Sequence, residues 1–173
     1  MIQISYRLTE QEIHQSLLDI SNSRLITKVL RIAGSLLLAA MVFITTASLI
    51  NGTFRFSLAY AFPFFAAIYL TFVSEITAKF QTSNLTKNKN PFTEEALVKI
   101  YETGFKVKGE TFNKQLVWEK LNSIIETKDF FIFKETEIMA SVLPKRVFTE
   151  QQIAELKNII SSVTGPKIIM ANA

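Results

Sequence analysis

The sequence predicts an α+β protein: a two-helix hairpin through a membrane, joined to an antiparallel β domain that a C-terminal helix closes. Three observations predict it. Two uncharged apolar runs of 19 residues each stand close together in a chain of 173. A series of short alternating segments follows, separated by turn residues. The last periodic stretch has helical spacing. The organisation is residues 1–31, a strand and an amphipathic helix; 32–74, the hairpin, with spans at 32–50 and 56–74; 75–91, a linker or helix extension; and 92–173, the β domain.

Ile2-Gln3-Ile4-Ser5-Tyr6-Arg7-Leu8 alternates apolar and polar residues, which is a strand signal. Thr9 followed by Glu12 forms a capping box, so a helix begins near residue 10. Ile13, Leu17, Leu18 and Ile20 fit its apolar face, and Ser21-Asn22-Ser23 marks a break before the first span.

At about 1.5 Å per residue each apolar run is roughly 28 Å long, against a hydrocarbon core of about 30 Å. Neither has the polar face that a core helix of a water-soluble protein needs. Only Asn51-Gly52-Thr53-Phe54-Arg55 separates the runs, so the helices are expected to be antiparallel neighbours. Asn51-Gly52 suits a helix end and turn. Pro63 is tolerated within a span and commonly kinks it. Ala33, Ala40 and Ala47, with Ala59 and Ala66, recur every seven residues and are candidates for the seam; alanine is also simply frequent in such helices. Arg24, Lys28 and Arg31 precede the first span, Lys79, Lys87 and Lys89 follow the second, and Arg55 alone lies between. The positive-inside rule then places both termini in the cytoplasm. The first run is too long for a cleaved signal and follows Glu10, Glu12 and Asp19.

Beyond the linker, strands are predicted at 97–102, 105–108, 111–117, 121–127, 130–134 and 137–143, with turns at Thr103-Gly104, Gly109-Glu110, Lys128-Asp129 and Glu135-Thr136. Thr149 and Gln152 form a second capping box. Ile153, Leu156, Ile159, Ile160 and Val163 make the apolar stripe of a helix that Gly165-Pro166 stops. With Ile2–Leu8 as the first strand, seven strands and a closing helix give the arrangement of pleckstrin-homology-like domains. The hairpin is then inserted between strands one and two.

Trp118-Glu119-Lys120-Leu121, Ile125-Glu126-Thr127, Phe131-Ile132-Phe133 and the run Ala140-Ser141-Val142-Leu143-Pro144-Lys145-Arg146-Val147-Phe148 resemble the C-terminal domain of the YcxB-like family of bacterial membrane proteins. The order of elements fits as well: a strand ending in Leu8-Thr9, two spans, and a domain closing on Pro-Lys-Arg before a helix. The resemblance implies a bacterial inner or plasma membrane and a pleckstrin-homology-like fold. It implies no activity.

The chain has no cysteine, which excludes disulfides, thiolate nucleophiles and Cys-based metal sites. His14 is the single histidine and reads as a surface or packing residue; Asp19 and Asp129 are the two aspartates. Trp118 reads as a core or interface anchor. Ser141 and Lys145 are four apart, as in a Ser–Lys nucleophile pair, but Pro144 breaks helical register between them. Glu94 and Glu95 have no metal-ligand companions, and the glycines form no phosphate loop. No catalytic, cofactor-binding or metal-binding residue is therefore expected, and no cofactor. With a formal net charge of +4 and no strongly basic segment, nucleic acid is not expected as a partner. Lys106 and Lys108 share a strand face, Lys114 lies on the next strand, and Lys145 and Arg146 follow the last. These five are the candidate lipid or partner surface. The competing reading is a solvated face balanced by Glu102, Glu110, Glu119 and Glu137. The leading functional expectation is a membrane-tethered interaction or sensing module without catalysis, with a protein partner or a second copy of itself. The alternative is anionic-lipid or small-ligand binding, and a hydrolase with an unrecognised site is a minor third.

Overall fold

The computed structural model describes residues 1–55, 57–87 and 90–171. Phe56, the first residue of the expected second span, and Lys89 of its basic flank lie outside them. The chain divides into two compact units. One is Ser21–Phe80; the other joins Met1–Ile20 to Gln81–Ala173.

The second of these units holds two four-stranded sheets. The first has the order β1-β2-β3-β4, with β1 at Ile2–Tyr6, β2 at Ala96–Tyr101, β3 at Gly104–Lys108 and β4 at Asn113–Val117. All its pairs are antiparallel, and Ile2 stands opposite Ile100. The N-terminal strand thus joins the sheet, as its alternation predicts. The second sheet has the order β7-β6-β5-β8, from β5 (Ser123–Glu126), β6 (Phe130–Lys134), β7 (Ala140–Pro144) and β8 (Lys167–Ile169). The β8 strand runs parallel to β5. Three residues, Lys167-Ile168-Ile169, are too few to show alternation, and the sequence gives no sign of this strand. The other seven strands are those expected: 130–134 is unchanged, and the remaining ends move by at most three residues.

One core lies between the sheets. Ile2, Ile4, Val98, Ile100, Phe105 and Val107 of the first meet Ile124, Phe131, Phe133 and Leu143 of the second. Trp118 is 1% exposed, within 5.1 Å and 5.3 Å of the ring centres of Phe105 and Phe133. Its indole N–H donates to the Tyr101 carbonyl, which removes the cost of burying it. The C-terminal helix α5 (Glu150–Ser161) adds Leu156 and Ile160. Its start is the predicted capping box: the Thr149 hydroxyl accepts from the Gln152 amide, and the Gln152 side chain accepts from the Thr149 amide. It ends before Gly165-Pro166. The outer face of the second sheet is covered too. There Ile125, Phe130, Ile132 and Val142 pack with Ile20 of α1 (Glu10–Ser23). Strands β5 and β6 are buried on both faces, which is why Phe130–Phe133 runs apolar without alternating. The Thr9–Glu12 capping box of α1 is formed as predicted.

The Ser21–Phe80 unit is helical. A break at Arg24 separates α1 from α2 (Leu25–Ile50), and a turn leads to α3 (Leu58–Thr71). Gly52 has φ +63°, a conformation that glycine adopts without strain. Helices α2 and α3 run alongside each other in opposite directions: Gly34 meets Leu70 and Thr71 at one end, and Thr45 meets the Tyr60 hydroxyl at the other. A Cβ at Gly34 would stand 2.6 Å from the Thr71 nitrogen, so only glycine allows this approach. The seam differs from the alanine register expected. Thr27, Gly34 and Met41 are the buried α2 residues, with Ala61 and Ala67 on α3. Ala33, Ala40 and Ala59 are exposed. On α2 the seven-residue period holds but is displaced by one position, because the smallest residue, Gly34, sets the closest contact; on α3 the buried alanines are six apart.

The α2 helix is long and apolar enough to cross a membrane. The second apolar segment is not one straight helix: α3 ends at Thr71, and α4 (Val73–Lys87) leaves it at 70°. The pair would be a second span only as a bent one. The bend falls at Phe72, not at Pro63, which sits inside α3. Of the two alternatives expected for 75–91, linker or helix extension, residues 75–87 are helix.

Candidate interaction surface

The outer face of the first sheet is its only large face without a helix against it among the described residues. Register decides what it displays. Residues opposite each other in antiparallel strands share a face. Gln3 stands opposite Lys99, Lys99 opposite Lys106, and Lys106 opposite Gln115. In the next outward row Ser5 stands opposite Leu97, Leu97 opposite Lys108, and Lys108 opposite Asn113. The inward set on the same strands is Ile4, Val98, Ile100, Phe105 and Val107. The outward rows therefore carry three lysines and no acidic residue. Lys99 and Lys106 form a like-charge pair directly across two central strands, an arrangement that disfavours the sheet on its own. Among the described residues no ion pair engages Lys99, Lys106 or Lys108. The two glutamates just before β2 are engaged elsewhere: Glu95 accepts from the Ser5 hydroxyl at 3.1 Å, and Glu94 from the Thr111 amide at 2.9 Å.

The five predicted basic residues do not converge. Lys106 and Lys108 share the outer face, as expected. Lys114 stands opposite Val107, so it belongs to the other face, where it pairs with Glu135. Lys108 pairs with Asn113, two residues beyond the pairing that a two-residue turn at Gly109-Glu110 would give; either register puts Lys114 opposite an inward residue, Val107 here and Phe105 in the tighter turn. Lys145 and Arg146 hold the domain together. The Lys145 ammonium reaches Glu126 at 2.6 Å and stands 5.2 Å from the centre of the Phe131 ring. Glu126 also takes Lys157 of α5 at 2.8 Å. Burial pushes the Glu126 carboxyl up, but the two ammonium groups outweigh it and hold the group below the usual carboxylate range. The Arg146 guanidinium grips Glu12 with Nε and Nη2, and Nη2 also donates to the Arg7 carbonyl at 2.9 Å. This fork lowers the Glu12 carboxyl to about 2, helped by the Thr9 amide and opposed by burial. The Pro144-Lys145-Arg146 motif thus ties α1 and α5 to the sheets. Lys99 was not among the expected surface residues, although its alternation with Val98 and Ile100 places it outward by the same rule as Lys106.

The other candidates have structural surroundings. His14 Nδ1 lies 3.4 Å from the Thr82 hydroxyl. Ser141 stands opposite Phe133 on β6, and its expected partner Lys145 is held by Glu126. Burial raises the Asp19 carboxyl, hydrogen bonds from Thr127 and Gln15 oppose this, and the charge of Asp129 adds to the rise. A shallow cleft of about 480 Å³ lies between the start of α1 and the β5–β6 turn, lined by residues that include Glu12, Lys128, Asp129 and Arg146. Its charges are mixed, and its guanidinium is already committed to Glu12.

No curated protein and no solved structure matches the chain. One family model does, over residues 100–160, a stretch from the end of β2 through most of α5 that contains Trp118, Glu126 and the Pro144-Lys145-Arg146 motif. The description of that model is YcxB-like protein, and this segment of the chain is YcxB-like.

Proposed function

We propose that this chain is a membrane-anchored binding module without catalytic turnover, and that the Lys99–Lys106–Lys108 face of its β domain adheres to anionic lipid headgroups. In this reading α2 crosses the bilayer and α3 returns, in a bacterial inner membrane, and the β domain has pleckstrin-homology-like architecture. The pairing of β1 with β2 supports the return crossing. Met1–Ile20 and Gln81–Ala173 form one compact unit, so the segment between them leaves and re-enters on one side. An even number of crossings follows, and α2 alone does not provide it. The basic flanks at Arg24, Lys28 and Arg31 and at Lys79 and Lys87 make that side the cytoplasm.

The observation that carries the lipid reading is the uncovered, acid-free face with its unneutralised Lys99–Lys106 pair. Three lysines at about 1 kcal/mol each give millimolar adhesion at best. Such weak adhesion is useful only where the ligand is held at high effective concentration, and a membrane anchor supplies that. The absence of cysteine and the single histidine support binding rather than turnover.

The test uses the full chain in lipid nanodiscs. Lysines are acylated with a water-soluble reagent and read by mass spectrometry. Discs containing phosphatidylglycerol are expected to protect Lys106 and Lys108 relative to wholly zwitterionic discs, with exposed Lys120 unchanged. Equal acylation in both discs rejects the lipid reading and leaves a protein partner for this face.

A further inference from the structure

Helix α4 leaves α3 at a particular level. Because α2 and α3 are antiparallel with Gly34 against Thr71, the end of α3 is level with the start of the uncharged run of α2, which begins at Ile32. Charge resumes on both sides of that level. Arg31 on α2 and Glu75 on α4 form an ion pair at 3.4 Å, and Arg31 also donates to Asn22 at 2.7 Å. Ser74 is buried and donates to the same Asn22 oxygen at 2.9 Å. The bend is therefore fixed by polar contacts where the apolar part of the helix pair stops. Had α3 continued straight, Glu75 and Lys79 would extend its axis among charged flanks. Instead the chain turns by 70°.

The turned helix is not polar on its free side. Phe72, Ile76 and Phe80 are spaced by four residues and are 48%, 43% and 70% exposed. Ile76 and Phe80 share one face of α4, and Phe72, at the bend, stands one turn before Ile76. Exposed Lys79 flanks it. On α3 the exposed Phe62, Phe65 and Tyr69 lead to the same place, so one apolar surface runs along α3 and continues round the bend. A helix at 70° to a span standing along the membrane normal lies about 20° from the membrane plane.

From this geometry we infer that the first half of α4 is an interfacial helix, lying in the cytoplasmic surface of the bilayer with Phe72, Ile76 and Phe80 sunk into the headgroup–acyl boundary. The partner is the lipid surface itself. The apolar stripe enters the boundary by roughly 5–10 Å, and Lys79 keeps its ammonium among the phosphates. The inference rests on the membrane reading above and adds that the second apolar segment ends at Thr71, so that residues beyond it are not part of a crossing. At 14 residues α3 is about 21 Å long, less than the hydrocarbon thickness of about 30 Å. An α4 seated below the surface shortens the distance α3 has to cover.

The natural absence of cysteine makes the test direct. Single variants Phe43→Cys, Phe72→Cys, Ile76→Cys and Phe80→Cys are spin-labelled in the full chain in liposomes. Depth is read from collision with oxygen and with a water-soluble nickel complex. Positions 72, 76 and 80 are expected at one shallow level, within about 4 Å of each other, with position 43 deep in the hydrocarbon. A helix continuing along the normal places 72 and 80 about 12 Å apart in depth, at about 1.5 Å per residue. Position 43 deep with that 12 Å progression overturns the interfacial helix and leaves the membrane reading standing. Position 43 deep with 76 and 80 in water does the same. Position 43 in water overturns both.

Discussion

Lys145→Met isolates the buried ion pair that the Pro144-Lys145-Arg146 run supplies. Glu126 is 5% exposed, and its Oε1 accepts from Lys145 at 2.6 Å and from Lys157 at 2.8 Å. Its Oε2 is buried without a hydrogen bond. Removing one partner of a buried pair costs about 3–5 kcal/mol, because the remaining charge is left in a poor solvent. Here Lys157 retains part of the compensation, and its side chain is 41% exposed, so its share is screened. A loss of about 2 kcal/mol is expected. At a urea slope of about 1–3 kcal/mol per M the midpoint falls by roughly 1 M. Trp118 is the single tryptophan and sits in the core of the β domain, so its emission follows that domain within the full chain in mild detergent. The double variant Glu126→Leu with Lys145→Met removes both charges and is expected to lose less than the single one, since apolar replacement of a buried pair is often neutral. A single variant within 0.5 kcal/mol of the parent, or a double variant worse than the single, refutes this account of the motif.

Acid should weaken the Arg146–Glu12 fork. The Glu12 carboxyl is lowered from 4.5 to about 2, so its contribution is complete above pH 4.5 and is lost as pH falls towards 2. The full shift corresponds to about 3 kcal/mol, but the Arg146 side chain is 52% exposed and screening leaves about 1 kcal/mol. Arg146→Ala is expected to flatten stability between pH 4.5 and 2, and an unchanged acid slope counts against the fork. Gly34→Leu is expected to separate α2 from α3, measurable as loss of a disulfide engineered between positions 45 and 60; retention of that crosslink means the close approach at Gly34 is dispensable. Cysteines introduced at Ser5, Thr53 and Ser162 test orientation: an impermeant thiol reagent on intact cells should label position 53 alone, and labelling of 162 reverses the topology.

Local signals were the most legible in this sequence. Both capping boxes join residues three apart, so the sequence shows both partners. Strand β1 was legible by its alternation, although its partner lies far along the chain. Register was legible only in part: the β3–β4 turn consumes two residues more than Gly109-Glu110 suggests, which changes the residue opposite Lys114 from Phe105 to Val107 but leaves it on the inward face. The break at Phe72 was hidden because apolar residues continue through Val73; the contacts that fix it, Ser74 with Asn22 and Arg31 with Glu75, join residues far apart in sequence. Alanine period indicated a seam, but only packing shows that Gly34 leads it.

The pairing of Ile2 with Ile100 also sets a timetable for synthesis. The ribosome makes β2 some 95 residues after β1, a wait of about 5–20 s at bacterial and eukaryotic elongation rates. Until then β1 has no partner, and the whole segment between the two strands must be made before the sheet can close. In the membrane reading proposed above, closure then reports successful insertion: a copy whose α3 failed to return would strand β1 across the bilayer, leave β2 with a bare edge beside Val98 and Ile100, and be open to proteolysis and aggregation. In that reading the interleaved chain makes folding of the β domain a built-in inspection of the membrane step that precedes it.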